Sequence, residues 1–286
     1  MSMRPIQGKS VVITGAASGI GEALALAFAK RGAKLLLADI DAAGLSRVQR
    51  AVQALGAHCH IQVTDTGSED AIKLLAACAQ STGAGADIVI NNAGVSVVSP
   101  VAKLQMTDAH WLMNINFWGV VQGCRAFIPM LRGKPDTVLV NVSSIFAMIS
   151  VPTQSIYNAS KAAVRAFSDA LREELRSDGI DVLCVHPGGI QTNIANKARI
   201  TDVSMVADTD QEMRDNFTKL ARTTPAQAAA VIIEAIESRK TRVLIGADAK
   251  LMDMVFRLIP TRASRWFTNL GQRMRERAKR QAATSH

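Results

Sequence analysis

The sequence predicts an α/β fold, a doubly wound seven-stranded parallel sheet with helices on both faces and a C-terminal helical extension. Three observations predict it. Short β-branched or leucine-rich runs alternate with longer helical patterns along the chain, the signature of strand–helix–strand units. Nearly half of the 286 residues are apolar, enough for one large core. The first strand runs into a glycine-rich turn that opens a helix.

The elements follow in order. Residues 9–14 form the first strand and 19–31 a helix; 34–38 form the second strand, followed by a helix from about 42 to 55. Residues 58–63 are the third strand, 70–80 a helix, 87–91 the fourth strand, and 107–131 one long helix. Residues 137–142 are the fifth strand, 154–177 a long helix and 181–185 the sixth strand. A polar, methionine-bearing stretch at 192–220 interrupts the rhythm, which resumes with a helix at 225–238 and a seventh strand at 242–245. No repeat or linker appears. The pattern therefore reads as one domain over residues 1–247 and a basic amphipathic extension over 248–286.

Charge is distributed unevenly. From Lys250 onward nine Lys and Arg stand against Asp253 and Glu276, so the extension carries +7 of the net +9. The body is close to neutral, so the high pI is not evidence for a nucleic-acid-binding core, and no nucleic-acid partner is expected. Cys59, Cys78, Cys124 and Cys184 lack metal-ligand or redox spacing and read as small buried hydrophobes, with no metal expected. No run of 18 uninterrupted apolar residues occurs, and Met-Ser-Met-Arg-Pro leads directly into a strand. A reduced, cytoplasmic protein is the expectation.

The turn after the first strand is Thr14-Gly15-Ala16-Ala17-Ser18-Gly19-Ile20-Gly21. Glycines here let the backbone turn tightly and approach a pyrophosphate resting on the helix N-terminus. Gly15, Ser18, Gly19, Ile20 and Gly21 are the candidate contacts. Asp39 ends the second strand, 24 residues past Gly15, where an acidic side chain meets the ribose hydroxyls of a dinucleotide. Its carboxylate repels a 2′-phosphate, and no Arg or Lys lies in the turn or directly after Asp39, so NAD is favoured over NADP. Asp39 could equally cap the following helix. Asp65, after the third strand, is placed to meet the adenine or to cap the helix near Ser68.

Three further strand ends meet the same sheet edge, where open α/β folds bind ligands. They read Asn91-Asn92-Ala93-Gly94, Asn141-Val142-Ser143-Ser144 and His186-Pro187-Gly188-Gly189, with Ile190 and Thr192 beyond. Beside them begins the helix carrying Tyr157, the single tyrosine of the chain, four residues before Lys161. At i and i+4 the two share a helix face. A free tyrosine titrates near 10, and a fixed positive charge beside it lowers that value.

With these motifs in this order, the chain resembles the short-chain dehydrogenase/reductase family over roughly residues 8–246. The resemblance implies a Rossmann-type domain and a hydride transfer between NAD(H) and an alcohol or ketone. It makes Tyr157 the acid/base, with Lys161 lowering its pKa and binding the nicotinamide ribose. Ser144, thirteen residues before Tyr157, would orient the substrate oxygen, and Asn116 matches the asparagine that positions a water near the lysine. Asn91, Ala93, Pro187, Gly188, Ile190 and Thr192 would complete the cofactor site. A homodimer or homotetramer and a small-molecule substrate are the implied partners. A dinucleotide-sensing protein without turnover is the alternative.

Candidate walls of the substrate pocket are Val95, Val97, Val98, Phe146, Met148, Ile149, Met205, Met213 and Phe217. The groups after Asn91 and after Ser144 contain no Arg or Lys, so an apolar, steroid-like or long-chain substrate is expected. In the extension, Leu251, Val255 and Leu258 and then Trp266, Leu270 and Met274 form apolar stripes among arginines. Such a helix docks on its own domain or a partner subunit, or lies on an anionic membrane surface.

Overall fold

The structure is a computed structural model that describes residues 3–82, 85–266, 268 and 269. The chain runs β1 (Ser10–Thr14), α1 (Gly19–Ala29), β2 (Lys34–Asp39), α2 (Ala42–Gln53), β3 (Cys59–Val63), α3 (Glu69–Ser81), β4 (Ile88–Asn91) and β5 (Val97–Val98). It continues through α4 (Met106–Met113), α5 (Gly119–Leu131), β6 (Val138–Val142), α6 (Ser155–Glu174), β7 (Asp181–Pro187) and β8 (Arg199–Ile200). The last elements are α7 (Asp210–Leu220), α8 (Pro225–Glu237), β9 (Arg242–Ile245) and α9 (Ala247–Leu258).

Seven strands form one parallel sheet in the order β3-β2-β1-β4-β6-β7-β9. Alternation along the strands sorts the core into two layers. Val11, Ile13, Leu35, Leu37, Ile88 and Ile90 face one side, where they pack with Leu24 and Phe28 of α1, Leu45 and Val48 of α2 and Ile232 of α8. Val12, Leu36, Val89 and Leu139 face the other, against Leu75 of α3, Phe127 of α5 and Val164 of α6. Buried on both faces, the central strands read as continuous apolar runs. The order reverses beside β1, whose neighbours β2 and β4 follow opposite directions of winding, and this opens the crevice at the carboxyl edge.

Two places differ from the sequence expectation. The helix expected at 107–131 is not uniform: Asn114–Trp118 form a single wider π turn between α4 and α5. Close packing at its end accounts for the following residue, because a Cβ on Gly119 would lie 2.5 Å from the Thr66 carbonyl oxygen. The stretch at 192–220 is also more ordered in kind than its polarity suggested. Its β8 pairs in parallel with β5 from 100 residues earlier, and its α7 is capped by Thr209, whose hydroxyl accepts from Glu212 N at 3.1 Å.

The extension begins as α9, which packs Ala249 against Ile145 and Met148, with Met252 and Phe256 alongside. Asp253, on the same inner face, holds Arg242 of β9 and Arg257. Trp266 is described; Leu270 and Met274 lie outside the described residues. No helix among the described residues is long and apolar enough to cross a membrane.

Candidate active site

The glycine turn is shaped by backbone that other residues cannot replace. Gly15 and Gly19 have φ of 67° and 57°, in the region that favours glycine. A Cβ on Gly15 would lie 2.8 Å from Ala93 Cα, and one on Gly21 would lie 2.1 Å from the Gly15 carbonyl oxygen. Thr14 and Asn92 lock this turn to the end of β4. The Thr14 hydroxyl accepts from Asn92 N (3.0 Å) and Ala93 N (3.2 Å), while Asn92 Nδ2 donates to the Thr14 and Gly15 carbonyls. The sequence reading passed over both side chains, although each stands at a strand end. A Cβ on Gly19 would lie 3.1 Å from Thr192 Cγ2, so the loop after β7 closes the same cradle.

The individual candidates divide. Ser18 stands at the N-cap of α1 with no side-chain cap bond, leaving its hydroxyl unspent on the helix. Ile20 turns its side chain into the core, so only its backbone faces the cradle. Asp39 does not cap α2; Asp41 does, accepting from Gly44 N at 2.9 Å. Asp39 instead accepts from Ala17 N and Asp41 N, both at 3.0 Å, which pins the carboxylate beside the glycine turn. Asp65 bonds Gly67 N at 2.8 Å, and Ser68 is the cap of α3. Asn91 points away from the crevice: its amide donates to Asn141 Oδ1 (2.9 Å) in a buried network that continues to Ser168. Only its backbone remains for a ligand. Pro187 and Ile190 are buried, and Gly188 and Gly189 sit against Asp248 of α9, whose carboxylate accepts from Gly189 N at 2.6 Å.

One cation reaches the turn from a distance the sequence did not reveal. Arg47 of α2 donates to the Ala17 carbonyl at 2.9 Å and is held in a double ion pair by Glu22. Its charge is therefore already matched.

Asn116, Ser144, Tyr157 and Lys161 converge and are all buried. The π turn aims Asn116 at the backbone of Val95: Oδ1 accepts from Val95 N (2.8 Å) and Nδ2 donates to Val95 O (2.9 Å) and to Ser160 Oγ (3.2 Å). Such turns recur where a side chain must be re-aimed inside a helix. The space that a Cβ on Gly94 would fill lies 3.4 Å from both Asn116 Oδ1 and Lys161 Nζ, so the missing side chain leaves the two groups a shared gap. Lys161 Nζ donates to the Val142 carbonyl at 3.0 Å and lies 5.8 Å from the centre of the Tyr157 ring. Ser144 Oγ accepts from Phe146 N at 3.1 Å, and Phe146 meets Tyr157 edge-on.

Burial dominates the electrostatics of the pair. Burial pushes the Tyr157 phenol up to about 12, with the Ser144 hydroxyl working in the opposite direction. Burial also brings Lys161 down to about 8. Desolvation thus favours the neutral form of both groups in the protein alone. His186, given no role from sequence, is fully buried with Nδ1 3.3 Å from the Ser144 carbonyl and Nε2 without a partner among the described residues. Burial, helped by the Arg242 cation, holds it down to about 4, so it is neutral at physiological pH.

The pocket walls also divide. Val97 and Leu112 pack with Tyr157, and Val95, Trp111, Phe146 and Ile194 border them. Val98 and Met213 instead join the cluster under the 192–220 segment, Met148 faces α9, and Met205 is exposed.

The residues present fit a dinucleotide, since the cradle needs glycine at three points and the Asp39 carboxylate is pinned beside it. The comparisons with known proteins agree. The family model described as short chain dehydrogenase matches residues 9–202. SadH of Mycobacterium tuberculosis, an oxidoreductase by name, is 38% identical over 260 residues, 90% of this chain and 93% of SadH. Dehydrogenase/reductase SDR family member 7B of Xenopus tropicalis is 31% identical, covering 90% of this chain and 83% of its own. A crystal structure of a short chain dehydrogenase/reductase from Burkholderia phymatum in complex with NAD superposes with a TM-score of 0.80 at 28% identity, covering 90% of this chain and 96% of that one. On this evidence the chain belongs to the short-chain dehydrogenase/reductase family of oxidoreductases.

Proposed function

We propose that this protein is an NAD-dependent dehydrogenase/reductase that interconverts an apolar alcohol and its ketone, with Tyr157 as acid/base. The observation that carries this reading is the convergence of Tyr157, Ser144 and Lys161 beside the glycine cradle, with the apolar Val97, Leu112 and Phe146 packed around the phenol ring. When bound, the nicotinamide supplies the hydride acceptor or donor. The protein's own groups do the rest. Ser144 holds the substrate oxygen against the phenol. Tyr157 takes the hydroxyl proton during oxidation and returns it during reduction. Lys161 binds the nicotinamide ribose, and with its pKa brought to about 8 it titrates close to working pH. Asn116 fixes the Gly94–Val95 backbone and shares with Lys161 the gap over Gly94, where a proton-carrying water fits.

NAD rather than NADP is supported by Asp39, pinned where a 2′-phosphate would meet its carboxylate, and by Arg47 being matched by Glu22. The apolar substrate is supported by Val97, Leu112, Phe146 and Ile194 around Tyr157 and by the lack of a cation among them. The test is to follow NADH and NADPH absorbance while the purified protein meets alcohols and ketones of increasing chain length, with Tyr157→Phe as control. Turnover with NAD that rises with chain length and vanishes in the variant supports the proposal. Tight NAD binding with no turnover on any substrate would favour the dinucleotide-sensing reading.

A further inference from the structure

The outer face of α9 combines exposed large apolar side chains with cations. Its inner face, Ala249, Met252, Asp253 and Phe256, is spent on the domain. At about 100° per residue, Lys250, Leu251, Met254, Arg257 and Leu258 fall on one outward arc about 120° wide. Leu251, Met254, Leu258 and the nearby Ile259 and Trp266 are between 38% and 74% exposed. Lys250 on this arc, and Arg262 and Arg265 just beyond the helix, have no ion pair among the described residues, while the two acids of α9 are engaged, Asp248 with Gly189 N and Asp253 with Arg242 and Arg257. The sequence beyond continues the charge, with five Lys or Arg against Glu276.

We propose that this face docks on an anionic lipid bilayer. Leucine, methionine and tryptophan side chains enter the headgroup boundary, while the long cationic side chains reach the phosphates around them. The charge pattern selects this occupant over a second copy of the chain. In a two-fold contact the patch meets itself, which would set Lys250, Arg262 and Arg265 against their own kind. The placement is consequential. The inner face of the same helix packs on Ile145 and Met148, directly after Ser144, and Asp248 holds the loop after β7. Docking therefore sets the substrate side of the crevice against the lipid surface, the place from which an apolar alcohol or ketone would come. That consequence rests on the substrate class proposed above; the docking itself does not.

The test is flotation of the full chain with vesicles of phosphatidylcholine alone and with phosphatidylglycerol added. Binding is expected only with the anionic lipid and should weaken as salt rises. Arg262→Gln should lower the partition coefficient about fivefold, as expected for one cation near an anionic surface. Leu258→Glu, at a position 74% exposed, should abolish flotation while thermal stability and turnover of a water-miscible alcohol stay unchanged. Equal flotation of Leu258→Glu and wild type overturns the proposal. So does failure of the wild type to float, and a shift of Leu258→Glu to a smaller species in sedimentation without any vesicle binding would assign the face to a second copy. Flotation with no turnover on any apolar alcohol would leave the docking standing and remove the substrate reading.

Discussion

The dinucleotide side of the crevice and its substrate side are held together by different forces. On the dinucleotide side, the parts are strand ends whose spacing is set by sheet register, joined by buried bonds such as those from Thr14 and Asn92. Shape there comes from glycine backbone, which has few alternatives. On the substrate side, the 192–220 segment is tied down by side chains at its rim. Lys103 meets Asp202 at 2.5 Å, and Arg199 both pairs with Asp108 at 2.7 Å and lies 3.6 Å over the Trp111 ring. Exposed ion pairs contribute about 0–1 kcal/mol each. One half of the site is thus shaped by sheet register and glycine backbone, and the other by a small apolar cluster, the β5–β8 pairing and exposed ion pairs.

The largest effect is expected at the junction of the halves. Tyr157→Phe should lower kcat by about 10³-fold while dinucleotide affinity, read by NADH fluorescence, is retained. Because Tyr157 is the single tyrosine, near-ultraviolet titration reads it directly. Without dinucleotide its midpoint should lie well above that of a free phenol, toward 12. A midpoint at or below 10 would show that the protein's own groups depress it after all.

His186 links β7 to the Ser144 carbonyl and makes the sheet-built part acid-sensitive. Its folded pKa, about 4, lies below the unfolded value near 6.5. The unfolded chain therefore binds a proton first as pH falls, and stability present in full above about 6.5 is lost progressively down to about 4, by up to about 3 kcal/mol. Urea midpoints across that range should decline in wild type and decline less in His186→Gln. Equal slopes would place the acid sensitivity elsewhere.

At the far end of the sheet-built half, Asp39→Asn tests cofactor choice. Removing a carboxylate that faces a phosphate relieves several kcal/mol of like-charge contact. The ratio of kcat/KM for NAD to that for NADP should fall on the order of a hundredfold. An unchanged ratio would show that Asp39 serves only Ala17 and Asp41.

These differences in construction also explain what was legible in the sequence. The seven strands of the main sheet were, because a sheet buried on both faces leaves unbroken apolar runs, and so was the glycine cradle, because positive φ and close approach leave glycine no substitute; the short β5–β8 pair was not. Asn116 was found through the family resemblance, but its π turn was not visible: a bulge leaves no residue type as its mark. Contacts between distant segments were equally hidden, including Arg47 on Ala17 and Arg4, which donates to the carbonyls of Ile236 and Asp136 from what reads as a lead-in to β1. The burial of Tyr157, which pushes its phenol up, was not legible, because sequence shows neighbours along a helix and not depth. The nine wall candidates were chosen by loop position alone, so Val97 and Phe146 were found, while Leu112, on α4, and Ile194, in the same segment as three of the candidates, were missed.

Arg199 tests the substrate half, and here the expected effect is smallest. A cation over an exposed ring contributes about 0.5–1 kcal/mol, and an exposed ion pair a similar amount. Arg199→Gln should therefore raise KM for the alcohol about five- to tenfold and leave dinucleotide affinity and global stability almost unchanged. Salt separates the two contributions. If Asp108 carries the effect, added NaCl should raise the wild-type KM toward that of the variant, because screening weakens an exposed pair. If stacking on Trp111 carries it, salt should matter little and Arg199→Lys, which keeps the charge without the planar group, should behave like Arg199→Gln. A kcat loss without a KM change would contradict both, and would mean that the segment orders the reacting groups and does not merely hold substrate under it.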